Sequence, residues 1–149
     1  MTPFAKTFEV RIDDVDPNRH LSSARYLDYA VHTRISYMHS AGVLQRLERL
    51  AMAPVVFRDD VQYRRELRLN DQVDVTLELA GLSEDGARWR LRHQFLRGDG
   101  SLSALIRSDG AWFDLNTRRL VVPPDEVTSA MQSLSRSEDF EQLPVPTAR

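Results

Sequence analysis

Two carboxylates and an imidazole lie close together, directly ahead of a predicted helix. Asp14, Asp16 and His20 occupy residues 14–20, and Ser22-Ser23 lead into the helix. The first N–H groups of a helix have no partner inside it and carry partial positive charge. Such an end can polarise a carbonyl oxygen while a nearby carboxylate acts as base or nucleophile. This combination suits acyl transfer at a carbonyl, although an acidic loop before a helix is also typical of a capped turn.

Composition excludes several other chemistries. The 149-residue chain has no cysteine, so it has no disulfide, no cysteine-based zinc or iron–sulfur site and no thiol nucleophile. Lys6 is the only lysine among 20 Lys and Arg residues, which argues against lysine nucleophile chemistry. A formal net charge of −2 argues against a dedicated nucleic-acid binder. No two histidines and a carboxylate show metal-ligand spacing, so we expect no metal.

The chain shows no targeting or membrane signal. Its N-terminus lacks a basic region followed by an apolar run and a small-residue cleavage site. No window approaches the roughly 18 consecutive apolar residues of a membrane-spanning helix. We therefore expect a cytoplasmic protein with no membrane partner.

A long helix is predicted after the acidic segment, over about residues 24–41, and Gly42 would end it. Two apolar stripes run along it: Leu27, Val31, Ile35 and Met38 form one, and Tyr26, Ala30, Thr33, Tyr37 and Ala41 form the other. A helix that is apolar over most of its circumference suits being wrapped by a sheet.

Alternating apolar and polar residues predict an antiparallel sheet. The predicted strands cover residues 4–12, 55–68, 72–79, 88–97 and 102–115. His93 falls on the apolar side of its strand and is expected to be a packed core histidine. Residues 1–135 are predicted to form a single α+β domain, and residues 136–149, which lack periodicity, a flexible C-terminal tail. Open strand edges favour continuation of the sheet into a partner subunit.

The acidic segment and helix resemble the signature of hotdog-fold thioesterases of the 4-hydroxybenzoyl-CoA thioesterase family, roughly D-x-D-x-x-G-H-V-N-N-x-x-Y. The matching residues are Asp14, Asp16, His20, Tyr26, Arg34 and Gly42. Weaker matches follow in order: Tyr63-Arg64-Arg65, Asn70-Asp71, and Asp114, Arg118, Arg119 and Pro123. The resemblance covers residues from about 7 to 127. It implies an antiparallel sheet wrapped around one long central helix, and hydrolysis of acyl-CoA to free acid and coenzyme A without metal or cofactor.

The resemblance also implies roles for particular residues. Asp16 would act on the thioester, either as general base for water or as nucleophile. The backbone N–H of Ser23 would hold the thioester oxygen, and His20 would orient or assist nearby. Asp14 would organise the loop. The family forms homodimers that often pair into homotetramers, with the active site at the dimer interface.

Arginines supply the candidates for coenzyme A binding, since a guanidinium fork can bind phosphate bidentately. The candidate phosphate contacts are Arg64, Arg65 and Arg118. The alternating segment Arg88-Trp89-Arg90-Leu91-Arg92 is either a solvated strand face or a further basic face for phosphates.

Three departures from the family pattern leave other functions open. Arg19 replaces a glycine, Ser22-Ser23 replace two asparagines, and Val31 stands where many relatives have an acidic residue. A non-catalytic acyl-CoA-binding protein is one alternative. A hotdog hydratase or dehydratase is another, although it would need a histidine and an acid across the substrate, whereas His20 and Asp16 share one loop.

Overall fold

The computed structural model describes residues 2–147, in which seven strands and three helices follow one another. The helices are α1 (Ser23–Ser40), α2 (Val43–Leu50) and α3 (Asp125–Gln132). The strands are β1 (Phe4–Glu9), β2 (Met52–Tyr63), β3 (Gln72–Ser83), β4 (Arg88–Arg97), β5 (Leu102–Asp114), β6 (Arg119–Val121) and β7 (Arg136–Leu143). A short 3-10 turn, Ile12–Asp14, precedes α1. Across these residues, no helix is long and apolar enough to cross a membrane.

Five strands form an antiparallel sheet in the order β1-β3-β4-β5-β2. Phe8 of β1 pairs with Val73 of β3, and Val75 of β3 pairs with Phe95 of β4. Strand β6 pairs with β5, and β7 runs parallel to the end of β3. Strand β2 lies at one end of this order, and its outer edge has no strand partner within residues 2–147. The sheet and its helices have the predicted α+β organisation.

Helix α1 packs one stripe against the sheet and forms the centre of the core. Tyr26, Ala30 and Thr33 are buried along this stripe. Val75 and Phe95 of the sheet are fully buried in the same apolar cluster as Ala30. Burying side chains of this kind stabilises the fold by about 1.5–3 kcal/mol for each large one. This contact fixes the position of the helix, and hence of its N-terminus, relative to the sheet.

The other apolar stripe of α1 lies partly outside the core. Val31 is 46 % exposed and Ile35 is 43 % exposed, whereas Met38 of the same stripe is buried. Val31 and Ile35 lie at the margin of the contact between helix and sheet, where they line a cavity together with residues of the edge strand β2. The prediction that α1 is buried over most of its circumference is therefore wrong for the single chain.

Strand β2 ends five residues earlier than predicted, at Tyr63 instead of residue 68. The backbone N–H groups of Arg64 and Arg65 both donate to the carbonyl of Ser103, at 2.8 and 3.0 Å. Because both bonds go to one acceptor, the regular ladder stops there and the chain leaves the sheet edge.

The C-terminal segment, for which the sequence predicts a flexible tail, contains a strand in the structure. Residues 136–143 form β7, which is held by ion pairs with the outer face of the sheet. Arg92 lies 3.2 Å from Glu138, and Arg90 pairs with Glu141. These contacts are between charges, so the segment has no apolar periodicity to reveal it. Residues 148–149 of the predicted tail lie outside the described residues.

Candidate active site

The acidic segment closes into a tight loop before α1. Val15 and Leu21 form an antiparallel bridge across it. The Asp16 N–H donates to the His20 carbonyl at 2.8 Å, and the Arg19 N–H donates to the Asp16 carbonyl at 2.9 Å. Leu21 is buried and its N–H donates to a carbonyl of the loop after β2, which fastens the segment to the body of the protein.

Arg19 takes the left-handed backbone conformation at φ 63°. The family pattern has glycine at this position, and glycine reaches positive φ without a steric cost. Arg19 therefore adopts the backbone conformation that the glycine of the family pattern would favour, and the turn is retained.

The two carboxylate oxygens of Asp16 have different surroundings. Oδ1 accepts hydrogen bonds from the backbone N–H groups of Asn18, at 2.9 Å, and His20, at 3.1 Å. Oδ2 has no hydrogen-bond partner among residues 2–147. The side chain is half-buried. Backbone donors thus fix the orientation of the carboxylate and leave one oxygen available for a substrate or a water.

The loop packs against the first turn of α1. Ser22 is the N-cap residue, and its N–H donates to the carbonyl of Asp14 at 2.9 Å. The Ser22 hydroxyl makes no capping hydrogen bond. Ser23 is the first helical residue, so its N–H has no acceptor within the helix. Tyr63 at the end of β2 donates its hydroxyl to the Ser23 carbonyl at 2.9 Å and so ties the edge strand to this turn.

Asp14 is engaged differently from Asp16. Its Oδ2 accepts a hydrogen bond of 2.8 Å from the Tyr29 hydroxyl, and Arg25 lies 3.8 Å from its Oδ1. Burial, together with the neighbouring Asp14 carboxylate, raises the pKa of the Tyr29 hydroxyl above its usual range. Both oxygens of Asp14 therefore face groups of α1, which suits a role in holding the loop on the helix.

The charge of His20 acts on a carboxylate that the sequence did not point to, Glu66 in the loop after β2. His20 bridges to Arg68 in the same loop. The pKa of Glu66 in that loop is lowered by its own backbone N–H, by a hydrogen bond from Arg68 and by the charge of His20. Sequence reasoning missed Glu66 because it comes 46 residues after His20 in the chain.

The three candidate coenzyme A arginines lie at opposite ends of β2. Arg64 and Arg65 are exposed and follow directly after its last residue. Arg118 lies in the turn between β5 and β6, with its guanidinium 5.0 Å from the ring centre of Phe113. Since β2 pairs antiparallel with β5 along its whole length, the structure does not bring Arg118 together with the other two in one chain.

The alternating arginines of β4 form ion pairs on the outer face of the sheet. Arg90 lies 2.6 Å from Asp109 and also pairs with Glu141. Arg92 is buried and lies 2.8 Å from Glu78. Neither arginine is therefore part of an open basic face.

A buried polar network connects α1 to four strands, β2, β3, β4 and β5. The Nε–H of Arg34, which is 8 % exposed, donates to Nε2 of His93 at 2.9 Å. Its Nη2–H donates to the Ser108 hydroxyl at 2.7 Å, and that hydroxyl donates to Asp59 of β2. Nδ1 of His93 lies 2.8 Å from the Thr76 carbonyl. Because Nε2 accepts from Arg34, the imidazole proton must reside on Nδ1.

The prediction that His93 is a packed core histidine is confirmed, since its side chain is fully buried and hydrogen-bonded. Burial, assisted by the charge of Arg34, lowers the pKa of His93 to about 3. The ring therefore stays neutral at ordinary pH and can keep accepting the Arg34 hydrogen bond.

An apolar cavity of about 210 Å³ lies between α1, β2 and the sheet. Its mouth is formed by Val31 and Ile35 of the helix and by Val56 of β2, which are all exposed. Its wall includes Trp89, and Arg34 is its one charged lining residue in the described chain. The exposed apolar residues of α1 thus lie at the opening of this apolar cavity.

The described residues contain no group of three or more His, Asp or Glu side chains that could hold a metal ion.

Several solved structures resemble this chain over most of its length. A Staphylococcus aureus protein solved in complex with CoA has 22 % identity and a TM-score of 0.81, with 97 % of this chain and 96 % of that chain covered. The 1,4-dihydroxy-2-naphthoyl-CoA thioesterase from Synechocystis has 15 % identity and a TM-score of 0.78, with 89 % and 98 % covered. The gentisyl-coenzyme A thioesterase BH1999 has 16 % identity and a TM-score of 0.74, with 85 % and 98 % covered. The predicted hotdog fold is confirmed.

The model of the thioesterase-like superfamily matches residues 10–131. That range holds the Asp16 loop, α1, α2, strands β2 to β6 and all but the last residue of α3. Assignment to the narrower 4-hydroxybenzoyl-CoA thioesterase family stays a prediction. Because the match spans most of the chain, this protein belongs to the thioesterase-like superfamily.

Proposed function

We propose that this protein hydrolyses acyl-CoA thioesters to a free acid and coenzyme A, with Asp16 as the reacting carboxylate. The observation that supports this most strongly is the Asp16 loop. Backbone hydrogen bonds orient the carboxylate, one oxygen remains available, and the loop abuts the first turn of α1. A carboxylate beside free helix N–H groups suits attack on a polarised carbonyl.

The Ser23 N–H would donate a hydrogen bond to the thioester oxygen and stabilise the negative charge that develops there. By one route, Asp16 takes a proton from a water, the resulting hydroxide attacks the carbonyl carbon, and the C–S bond breaks. By the other, Asp16 itself attacks, coenzyme A leaves as a thiolate, and water then hydrolyses the mixed anhydride. In both routes the thiolate takes up a proton, and His20 lies in the same loop to orient or assist.

The protein would bind the coenzyme A part of the substrate through its phosphates. Arg64 and Arg65 are exposed at the end of β2 that carries Tyr63, whose hydroxyl contacts Ser23. They therefore lie on the same side of the molecule as the Asp16 loop. Arg118 is the third candidate phosphate contact. Solved structures with this fold include a 1,4-dihydroxy-2-naphthoyl-CoA thioesterase, a gentisyl-coenzyme A thioesterase and a protein in complex with CoA, which agrees with such a substrate.

The acyl group would occupy the apolar cavity whose mouth is Val31, Ile35 and Val56. On an α-helix, Val31 lies about 12 Å beyond Ser23, at 1.5 Å per residue. The wall is apolar except for Arg34, which is already bonded to His93 and Ser108. An uncharged aliphatic or aryl group fits this lining better than a charged one.

We also propose a homodimer, or a homotetramer built from it, formed along the free edge of β2. The exposed apolar residues Val56 and Phe57 lie on this strand, with Val31 and Ile35 beside it on α1. An exposed edge strand with apolar residues readily pairs with another chain. Pairing of two copies by a two-fold axis would cover all four residues at once.

The test is thiol release from a panel of short, long and aromatic acyl-CoAs by the purified protein, with enoyl absorbance recorded in parallel. Hydrolysis predicts release of one thiol for each acid formed, with no change in absorbance of an enoyl substrate. An absorbance change without thiol release would instead indicate a hydratase or dehydratase.

The non-catalytic alternative has its own support, since α1 carries Val31 at the position where many relatives have a carboxylate. Thermal stabilisation by an acyl-CoA without any thiol release would favour that alternative and contradict hydrolysis.

A further inference from the structure

The guanidinium of Arg34 has donors that its buried network does not use. Its Nε–H donates to His93 and its Nη2–H to Ser108, at 2.9 and 2.7 Å. Its third nitrogen, Nη1, has no hydrogen-bond partner among residues 2–147. A guanidinium has five N–H donors and no acceptor, so the two N–H groups of Nη1 remain for another partner.

Nη1 faces open space although its side chain is buried. Arg34 is only 8 % exposed, and it lines the apolar cavity of about 210 Å³ between α1, β2 and the sheet. Within the described chain, no side-chain nitrogen or oxygen that is closed off from solvent lacks a hydrogen-bond partner. Since Nη1 has no partner, it must reach accessible space, which places its donors at the cavity.

The other polar groups of the cavity wall are already engaged. The hydroxyl of Tyr37 donates to a backbone carbonyl at 2.9 Å. The indole N–H groups of Trp89 and Trp112 do the same, at 3.2 and 3.1 Å. The wall thus presents apolar surface with one directed pair of free donors, at Arg34.

The charge of Arg34 is already compensated inside the protein. Asp59 of β2 lies 3.8 Å from Nη2 and accepts a hydrogen bond from the Ser108 hydroxyl. A carboxylate that entered the cavity would lose its hydration and bring a second negative charge to a guanidinium that already has one. A neutral oxygen can accept from Nη1 at a much smaller cost of desolvation.

The position of Arg34 along α1 determines which oxygen of a substrate could reach it. In the proposed mechanism, the thioester oxygen lies at the N–H of Ser23. Arg34 lies about 16 Å further along the helix, at 1.5 Å per residue. Its side chain leans back towards the N-terminus, as helical side chains do, which recovers only part of that distance. An oxygen on the carbons next to the thioester would therefore not reach Nη1, whereas one near the far end of a medium-length chain would.

We propose that the cavity selects acyl groups that are apolar but carry one neutral oxygen remote from the thioester, and that Arg34 donates a hydrogen bond to this oxygen. This inference rests on the proposed function and on entry of the acyl group between Val31 and Val56. A terminal hydroxyl on a medium-length chain fits this description. An unsubstituted chain would cover Nη1 and leave its donors without a partner, which a site built to bind a hydroxyl disfavours.

Substrate preference tests this role of Arg34. The kcat/KM for octanoyl-CoA, its terminally hydroxylated form and its β-hydroxylated form is measured with the wild type, Arg34→Lys and Arg97→Gln. In the wild type we expect a preference of about tenfold for the terminal hydroxyl over the plain chain, as for a hydrogen bond to a charged donor, and no preference for the β-hydroxyl. Hexanoyl and decanoyl pairs show whether the preference depends on the position of the oxygen.

The two variants separate Arg34 from arginines elsewhere. Lysine keeps the charge but has one nitrogen, which cannot replace all three nitrogens of the guanidinium. The preference should therefore fall to about one in Arg34→Lys. Arg97→Gln removes an arginine at the β4–β5 turn, outside the cavity lining, and should keep the wild-type preference. Equal kcat/KM for the plain and the terminally hydroxylated chain in the wild type would overturn the proposal, even if Arg34→Lys fails to fold. A preference for a terminal carboxylate over the hydroxyl would overturn the assignment of a neutral oxygen.

Binding keeps this test separate from that of hydrolysis. Thioether analogues of coenzyme A that carry an octyl or a terminally hydroxylated octyl chain cannot be hydrolysed, and their dissociation constants are measured by calorimetry. We expect the hydroxylated analogue to bind about tenfold more tightly to the wild type and equally to Arg34→Lys. If no acyl-CoA releases thiol, the proposed function fails while these affinities still decide the role of Arg34. If thioesters are hydrolysed and the two analogues bind equally, only the role of Arg34 is refuted.

Discussion

At the residue scale, Asp16 and Asp14 show how two carboxylates in one short loop take different roles. Asp14 is bonded to Tyr29 and faces Arg25, so it holds the loop to the helix. Asp16 accepts hydrogen bonds only from backbone N–H groups, and both of these bonds go to Oδ1. The sequence motif singled out both residues, and their spacing also predicted that they precede a helix. It did not predict that the charge of His20 would act on Glu66, because their proximity depends on how a distant loop folds back.

His93 gives a prediction about acid stability. Its pKa is about 3 in the folded protein and near 6.5 when unfolded, so the unfolded chain binds the proton more tightly. The contribution of neutral His93 to the stability of the fold is complete above pH 6.5. It is lost as the pH falls towards the pKa of His93 in the folded protein, by about 1.4 kcal/mol per pH unit for one such group. We expect the free energy of unfolding, measured by denaturant titration at several pH values between 6.5 and 4.5, to fall less steeply with decreasing pH in His93→Gln than in the wild type. Equal slopes would contradict the burial argument.

At the element scale, the boundaries of α1 follow from local signals and those of β7 do not. The predicted helix over 24–41 matches Ser23–Ser40 within a residue at each end, because its apolar spacing and Gly42 are local features. Strand β7 was missed because charge pairs such as Arg92–Glu138 hold it, and these depend on residues that are far apart in sequence. The exposure of Val31 was missed because a helix pattern does not show which side a sheet covers.

The C-terminus of α2 offers a stabilising substitution. Ala51 ends the helix in the left-handed conformation at φ 53°, which glycine adopts without steric cost. We expect Ala51→Gly to raise the free energy of unfolding by about 1 kcal/mol, measured by denaturant titration. Ala41→Gly is the matched control: Ala41 ends α1 at φ −86°, so there the added flexibility should destabilise. A lower stability for Ala51→Gly would refute the strain argument.

At the scale of the whole molecule, β2 is the strand edge along which we propose that two copies of the chain pair. The prediction that the sheet continues into a partner came from open strand edges, and the structure identifies an edge, β2, with apolar residues on it. The clustering of Arg118 and Arg119 with Arg88 was not predictable from spacing. These residues meet only because β6 pairs with β5 next to the start of β4.

Assembly can be tested at Val56, which is 44 % exposed on β2. Val56→Lys places a charge on the proposed interface, and we expect sedimentation to show a shift from dimer or tetramer to monomer. Val122→Lys is the control, because Val122 is 58 % exposed but lies outside β2. A monomeric wild type, or a Val56→Lys variant that assembles like the wild type, would contradict pairing along this edge.

The central claim is that Asp16 performs the reaction, and its most direct test is the kcat of Asp16→Asn for the best acyl-CoA substrate. Removing a general base or nucleophile should lower kcat by about 100- to 10,000-fold. Asp13→Asn provides the matched control, since Asp13 is an exposed carboxylate in the preceding turn. The account predicts a loss of this size for Asp16→Asn with Asp13→Asn close to wild type. An Asp16→Asn enzyme that turns over like the wild type would contradict it.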